Sequence, residues 1–340
     1  METQSQLEKS SIGEAVVGSG VSGLVSILFT CYNHLSFIQE AWQSILDQTY
    51  PHWEVIALDD GSTDGTREWL ASLKHPNLKV IFNEENLGTY GTLNRGLKEA
   101  TGEFIAVFND DDLWAPEKLA SQIDLLKERP DVGLVHTNGH FIDGKGQKIE
   151  GEPLGFKFPR TETGDLLLDL VYANKIIASA VLARRECFAK GGFDTSFFGS
   201  GDWDMWLRIS LDWKVGFIDK PHTFYRVHGG NASHKLKRIW EDDYRLRRRL
   251  VLTLRDLART NRDRFAPTSF KAALAHNYAC LGTVACLTGR KKEGRISYGR
   301  SITENPVRVQ NYARWLLTFM PQSWWEKDTL ARNTQGLKDA

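Results

Sequence analysis

The sequence predicts an α/β domain with a mostly parallel sheet, helices on both faces, and a helical C-terminal region. Three observations predict it. Apolar runs of strand length alternate with amphipathic stretches from Leu24 to Val135, as parallel strands joined by crossover helices do. The chain has 340 residues, enough for a large domain with an appendage. Charge is segregated: the first 234 residues hold 33 Asp and Glu against 21 Lys and Arg, and the remainder holds 22 Lys and Arg against 10 Asp and Glu. An acidic body with a basic tail reads as two regions with different roles.

Residues 1–23 read as a flexible lead. They contain Gly18-Ser-Gly-Val-Ser-Gly23, a GxGxxG match. A dinucleotide site needs that motif after a strand and at the start of a helix. Here it precedes the first convincing strand, so a Gly-rich linker is the reading.

Leu24–Phe29 is expected as a buried strand. Ser36 can cap a helix in which Phe37, Ile38, Ala41, Trp42, Ile45 and Leu46 share one face. Val55–Leu58 follows as a strand, then a turn and a helix from about Asp64. Leu78–Phe82 is a strand, Tyr90–Ala100 a helix and Phe104–Phe108 a strand. Pro116–Arg129 is a helix with Pro near its start, and Val132–Val135 a strand. Asp143–Gly146 marks a turn, and 147–164 a Gly/Pro-rich loop. A helix near Asp165–Ala173 leads to an apolar run at Ala178–Ala183. A helix at Asp202–Leu211 and strands at Val215–Ile218 and Thr223–Val227 complete the body, residues 24–234. Residues 235–340 read as helix, broken at Ala266-Pro267.

Composition narrows the function. With 41% hydrophobic and 25% charged residues, a sizeable core is expected and global disorder is excluded. The net charge is zero, which argues against a nucleic-acid partner. The four cysteines form no CxxC pair, unlike a zinc site or disulfide framework. The spread of the cysteines suits a reduced, cytoplasmic compartment, the polar N-terminus shows no signal-peptide pattern, and the lack of an 18-residue uncharged apolar run argues against a transmembrane helix. The Asn231-Ala-Ser233 sequon is then incidental.

In open α/β sheets, ligands bind at the carboxyl ends of strands. The first strand is followed by Thr30-Cys-Tyr32-Asn33, the second by Asp59-Asp60-Gly-Ser-Thr-Asp64, the third by Asn83-Glu-Glu-Asn86-Leu-Gly88 and the fourth by Asn109-Asp110-Asp111-Asp112. A lone acidic run is ordinarily a solvated turn. Three adjacent carboxylates beside three other polar exits instead suit a hard cation such as Mg²⁺ or Mn²⁺, completed by phosphate oxygens. Turn and N-cap chemistry accounts for Gly61, Thr63 and Asp64, but not for two acids directly after an apolar strand. A carboxylate there can accept the imide N–H of uracil or thymine, with Tyr32 stacked on the base. Asp204 and Arg208 are spaced for a helix salt bridge. Asp202 is at a helix start, where it can cap the helix or act as a general base. His228 either lies in a loop or reaches a metal or phosphate.

Together these residues resemble the inverting family-2 glycosyltransferases of GT-A fold. The resemblance rests on VSILFTCYNH (25–34), SILDQTYPHWEVIALDDGSTDGT (44–66), NLGTYGTLNRGLKEATGEFIAVFNDDDLWAPEKL (86–119), GGFDTSFFGSGDWDMWLRI (191–209) and FYRVHGGNAS (224–233). It covers about Leu24 to His234, with the motifs in the family's order and spacing.

The resemblance implies a transferase that moves a sugar from a nucleotide-diphosphate donor, UDP- or dTDP-linked, to a glycan or lipid-linked acceptor in cell-surface polysaccharide synthesis. Thr30, Tyr32, Asp60 and Asn86 are implied at the nucleotide and Asp110 at ribose or sugar. Asp111, with Asp112 and His228, is implied at a divalent metal, Mg²⁺ or Mn²⁺, and Asp202 as catalytic base. Members often carry Asp where this chain has Asn109, Glu where it has Gly201, and in some cases an Arg where Gly88 falls. The alternative is a GT-A module that binds nucleotide sugar or glycan without turnover.

In the tail, residues 236–259 mix Arg with apolar residues at helical spacing, which suits a helix packed on its neighbours. The stretch Trp315–Trp325 is rich in large apolar residues, near Arg308 and Arg314. It suggests peripheral contact with the inner face of a membrane.

Overall fold

The apolar run expected at Leu24–Phe29 forms the middle of β1 (Val21–Cys31), in a computed structural model that describes residues 11–16, 18–231, 234–260 and 264–321. The chain divides into two compact units. The first takes in residues up to 151, 156–166 and 175–229, and the second 152–155, 167–174 and 230–340.

In the first unit, β1 is followed by α1 (Leu35–Leu46), β2 (Trp53–Asp59), α2 (Thr66–Ser72), β3 (Leu78–Phe82), α3 (Gly88–Glu99) and β4 (Gly102–Asn109). Then come β5 (Leu113–Trp114), α4 (Lys118–Glu128), β6 (Val132–Ile142), β7 (Lys148–Ile149), β8 (Leu182–Arg184), α6 (Gly201–Ser210) and β9 (Lys214–Arg226). The strand order is β3-β2-β1-β4-β8-β6-β9-β5, with β7 beside β6. The stretch β3-β2-β1-β4 is parallel throughout, so its carboxyl ends, and the polar residues that follow them, gather along one edge. Beyond β4 the sheet is mixed, because β8 pairs antiparallel with both β4 and β6 while β6 and β9 are parallel.

Val25, Ile27, Phe29, Val55, Ala57, Ala106 and Phe108 line one face of the parallel strands and pack with Ile38, Ala41, Ile45 and Leu70 of the helices. Leu28, Ile56 and Leu58 are buried as well, as expected of strands covered on both sides. Each fully buried aliphatic or aromatic side chain contributes about 1.5–3 kcal/mol. Those strands therefore form a rigid base for the loops above.

Several expectations are refined. β1 begins at Val21, so the Gly18–Gly23 motif runs into a strand and opens no helix. Within the lead, Gly13 N–H donates to the Phe193 carbonyl at 2.9 Å, and Ile12 forms a bridge with Asp194. The two strands expected at 215–218 and 223–227 are one strand, β9. Pro221 interrupts it without ending it: the register against β6 shifts at Thr137–Gly139, which accommodates a residue with no N–H to donate. The Asp143–Gly146 turn closes a hairpin between β6 and β7.

The second unit contains α5 (Leu167–Leu170), α7 (Leu236–Thr260), α8 (Pro267–Leu287), α9 (Lys291–Glu304) and α10 (Val309–Leu317). Pro267 starts α8, where its missing N–H is no loss. The buried Arg247 is held by Asp243, Asn277 and the Val171 carbonyl, and Tyr298 is fully buried with its hydroxyl 2.7 Å from Thr283 Oγ1. Among the described residues no helix is long and apolar enough to cross a membrane.

Candidate functional site

The exit of β1 is shaped by Asn33, the one non-glycine residue with positive φ (55°) among the described residues. Asn tolerates that conformation better than most side chains. Its Oδ1 accepts the Thr63 N–H at 2.7 Å, and Ser62 Oγ accepts its own N–H at 3.0 Å. Asp64 serves two helices: Oδ2 accepts the Leu35 N–H at the start of α1, and Oδ1 accepts the Thr66 N–H at the start of α2. These bonds tie the first two strand exits into one rigid loop pair.

The paired acids after β2 separate into two roles. Asp59 is fully buried; it accepts the Ser62 N–H and faces Arg67 at 3.3 Å. Asp60 is also buried, and its Oδ1 accepts Asn83 Nδ2 and the Leu87 N–H, both at 2.8 Å. Among the described residues no hydrogen bond reaches Asp60 Oδ2. Asn86 donates to the Asp60 carbonyl at 3.1 Å. Thr30 Oγ1 lies 3.0 Å from Asn109 Oδ1, so Asn109 supports Thr30. The Tyr32 ring is about half exposed.

The three adjacent carboxylates after β4 also diverge. Asp110 is buried, with Oδ1 2.7 Å from His34 Nδ1 and Oδ2 accepting the Tyr32 N–H at 3.0 Å. In this structure it holds Tyr32 and His34 in place. Asp111 Oδ2 lies 3.0 Å from His228 Nε2. Asp112 is fully buried; Oδ2 accepts Ser179 Oγ and Oδ1 accepts the Arg226 N–H at 3.0 Å. Through the Arg226 bond Asp112 ties the segment after β4 to the end of β9.

His34, Asp111 and His228 offer ligand atoms that all lie within 4.8 Å of one another. The His34 and His228 rings meet edge to face at 5.0 Å, and His228 also lies 5.0 Å from Phe37. Burial alone would lower the His34 pKa. The hydrogen bond to Asp110 and the charges of Asp110, Asp111 and Asp64 outweigh it and hold the imidazole up to about 9. Burial, with the charge of Asp111 adding to it, pushes the Asp112 carboxyl well above the usual range.

Asp202 lies in the first turn of α6, with Oδ1 accepting the Trp203 N–H at 2.6 Å. Its helix start sits against α3: a Cβ on Gly201 would come 2.7 Å from the Tyr90 ring. The contact leaves little room for a side chain at position 201. Asp202 is not one of the three clustered residues. Asp204 and Arg208 form the expected helix pair at 2.8 Å.

Two residues of the site escaped sequence reasoning. His34 reads as the start of α1, and its signal was its place at the end of the first strand exit. Arg226 is fully buried; it donates to the Asp111 carbonyl at 2.8 Å and to Glu40 Oε2 at 2.7 Å, and lies over the Phe37 ring. Its signal was the Arg-Val-His spacing, which puts Arg226 and His228 on one side of an extended segment.

Comparison with known proteins bears on the family and the fold. The family described as Glycosyl transferase family 2 matches residues 26–185. WfgD of Escherichia coli, named as a UDP-Glc:alpha-D-GlcNAc-diphosphoundecaprenol beta-1,3-glucosyltransferase, is 30% identical over 226 residues, covering 64% of this chain and 84% of WfgD. The crystal structure of S. aureus TarS 1-349 in complex with UDP-GlcNAc aligns with TM-score 0.57 at 18% identity, covering 85% of this chain and 91% of that one. The mannosyltransferase PcManGT from Pyrobaculum calidifontis, in complex with GDP-Man and Mn²⁺, aligns with TM-score 0.52 at 21% identity, covering 99% of this chain and 92% of that one. The chain spans about a third (34%) of the length of the first curated relatives it matches, uncharacterized glycosyltransferases of Rickettsia. The likeness to solved structures establishes the GT-A fold, and with the identity to WfgD across most of that protein, this chain belongs to glycosyltransferase family 2.

Proposed function

We propose that the protein moves a sugar, with inversion, from a UDP- or dTDP-sugar to a hydroxyl of a glycan or lipid-linked acceptor, using a divalent metal. The observation that carries this reading is the meeting of His34, Asp111 and His228 within 4.8 Å; at the exit of a neighbouring strand, Asp60 is buried with one carboxylate oxygen unbonded among the described residues. One carboxylate and two imidazoles fit a divalent first-row ion. When bound, such an ion stabilises the departing diphosphate as a Lewis acid.

The remaining roles belong to the chain. Asp60 Oδ2 accepts the imide N–H of the base, and the exposed Tyr32 ring stacks on it. Thr30 and Asn86 line the nucleoside. Asp202 takes the proton from the acceptor hydroxyl as it attacks the face opposite the leaving group. UDP-Glc and a diphosphoundecaprenol-linked sugar in the name of WfgD, and UDP-GlcNAc in the TarS crystal, support a UDP-type donor and a lipid-linked acceptor in polysaccharide synthesis. Mn²⁺ in the PcManGT structure supports the metal.

A donor panel screened by thermal shift with Mn²⁺ tests the reading, because a ligand present at 100 times its Kd stabilises by about 2.7 kcal/mol. The expected result is a raised Tm with one UDP- or dTDP-sugar, and release of that nucleotide only when acceptor is added. Binding without acceptor-dependent release would favour a non-catalytic module.

The tail supports a place at the inner membrane face. Val307, Val309, Leu316 and Phe319 are exposed, in a segment that also carries Arg308 and Arg314. That pairing suits an anionic lipid surface. Trp324 and Trp325, part of the same apolar stretch, lie outside the described residues. Liposome sedimentation should recover the full chain and lose it when residues 305–340 are removed; equal recovery sinks the idea.

A further inference from the structure

We propose that His34 is a metal ligand that makes this site selective for transition-metal dications over Mg²⁺, with Asp110 as its positioning residue. The proposal rests on the metal reading above and extends it. Metal-bound imidazoles characteristically donate their other ring N–H to a carboxylate, which fixes the tautomer and the ring. His34 has that partner already: its Nδ1 lies 2.7 Å from Asp110 Oδ1.

Asp110 is itself fixed. Its second oxygen accepts the Tyr32 N–H, its own N–H donates to the Thr30 carbonyl at 3.1 Å, and it is buried. The arrangement leaves His34 Nε2 without a hydrogen bond among the described residues, and a ring nitrogen of His34 belongs to the group formed with Asp111 and His228. The His228 ring against His34 and Phe37 limits how far either imidazole can turn away.

Ligand chemistry gives the consequence. Mg²⁺ is held through carboxylates, water and phosphate oxygens and gains little from imidazole. First-row dications gain more from an imidazole nitrogen than Mg²⁺ does, Mn²⁺ least among them and Co²⁺ more. A site with two imidazoles to one carboxylate is therefore tuned away from Mg²⁺.

The test is calorimetric titration of the full chain with Mn²⁺ alone and with Mg²⁺ alone, for the wild type, His34→Gln, Asp110→Asn and Asp111→Asn. Wild type should bind Mn²⁺ at least about 10-fold more tightly than Mg²⁺, as the site chemistry requires. His34→Gln should weaken Mn²⁺ by about 10–100-fold and leave Mg²⁺ nearly unchanged, collapsing the ratio; Asp110→Asn should move the ratio in the same direction. A general structural role would weaken both metals equally. If both variants keep the wild-type ratio while Asp111→Asn loses both metals, the metal reading stands and the His34 proposal falls. If wild type binds neither metal, or Asp111→Asn binds both as wild type does, the metal reading falls and takes this proposal with it. Should Asp110→Asn fail to fold by circular dichroism, the His34→Gln ratio decides alone.

Discussion

Arg226 donates its side-chain Nε to the main-chain carbonyl of Asp111 at 2.8 Å, while its backbone N–H donates to Asp112 Oδ1 at 3.0 Å. Two elements far apart in sequence are thereby locked together. His228 lies two residues beyond Arg226, so the same lock sets the 3.0 Å approach of His228 to Asp111.

The lock makes a stability prediction. Arg226 is fully buried, whereas its partner Glu40 is more than half exposed. Arg226→Met removes hydrogen bonds from a buried cation and should lower stability by about 1.5–3 kcal/mol. Glu40→Gln touches only the solvated end and should cost less than about 1 kcal/mol. Urea denaturation of both variants checks the order. Equal losses would place the strength of the lock in the ion pair and not in the Asp111 and Asp112 contacts.

Much of this site could be read from the chain because polar residues are conspicuous directly after apolar strands. Asp60, Asp111 and His228 stood out that way. The division of labour within Asp110-Asp111-Asp112 could not be read, since it depends on Ser179 and Arg226, which approach from 67 and 114 residues away from Asp112. His34 was hidden because it follows a left-handed Asn33 and counts locally as a helix start. In the fold, the parallel half announced itself through unbroken apolar runs. The mixed half did not: β8 has three residues, too few for a period, and it pairs antiparallel with both β4 and β6.

Asp202 is the proposed base, and its removal should affect chemistry more than binding. Asp202→Asn keeps the side-chain shape and can still accept the Trp203 N–H, so α6 should start normally. The expected result is a kcat lower by about 10²–10⁴-fold with the donor-induced thermal shift unchanged. Full turnover in a folded Asp202→Asn protein would remove Asp202 from the mechanism.

The close fit of Gly201 to Tyr90 predicts a coupled pair. An added Cβ would approach the ring at 2.7 Å, and the ring is hemmed in by Phe193 at 5.9 Å. Gly201→Ala should cost about 1–3 kcal/mol through overpacking. In a Tyr90→Ala background the same substitution should cost far less, giving a coupling of about 0.5–3 kcal/mol. Thermal melts of the four proteins measure it; additive losses would mean the contact relaxes freely.

Acid sensitivity should trace in part to His136. Burial lowers its pKa from 6.5 to about 3, and its Nε2 pairs with Thr161 Oγ1 at 2.8 Å. The folded state therefore holds this ring neutral, whereas the unfolded chain takes up a proton below about pH 6.5. A depressed folded pKa means the unfolded state binds more protons between those two values, so stability is complete above pH 6.5 and declines as pH falls towards 3. From pH 7 to pH 5 the loss from this group is roughly 2 kcal/mol. His276, lowered to about 4 by burial first and by nearby Arg247, acts in the same direction. The difference between wild type and His136→Gln is therefore the readout. His34, held up at about 9, changes stability only above pH 6.5 and leaves the acid limb undisturbed. Unfolding free energies at pH 7, 6 and 5 should fall less steeply in His136→Gln than in wild type, and parallel slopes would rule out His136 as a source of the acid response.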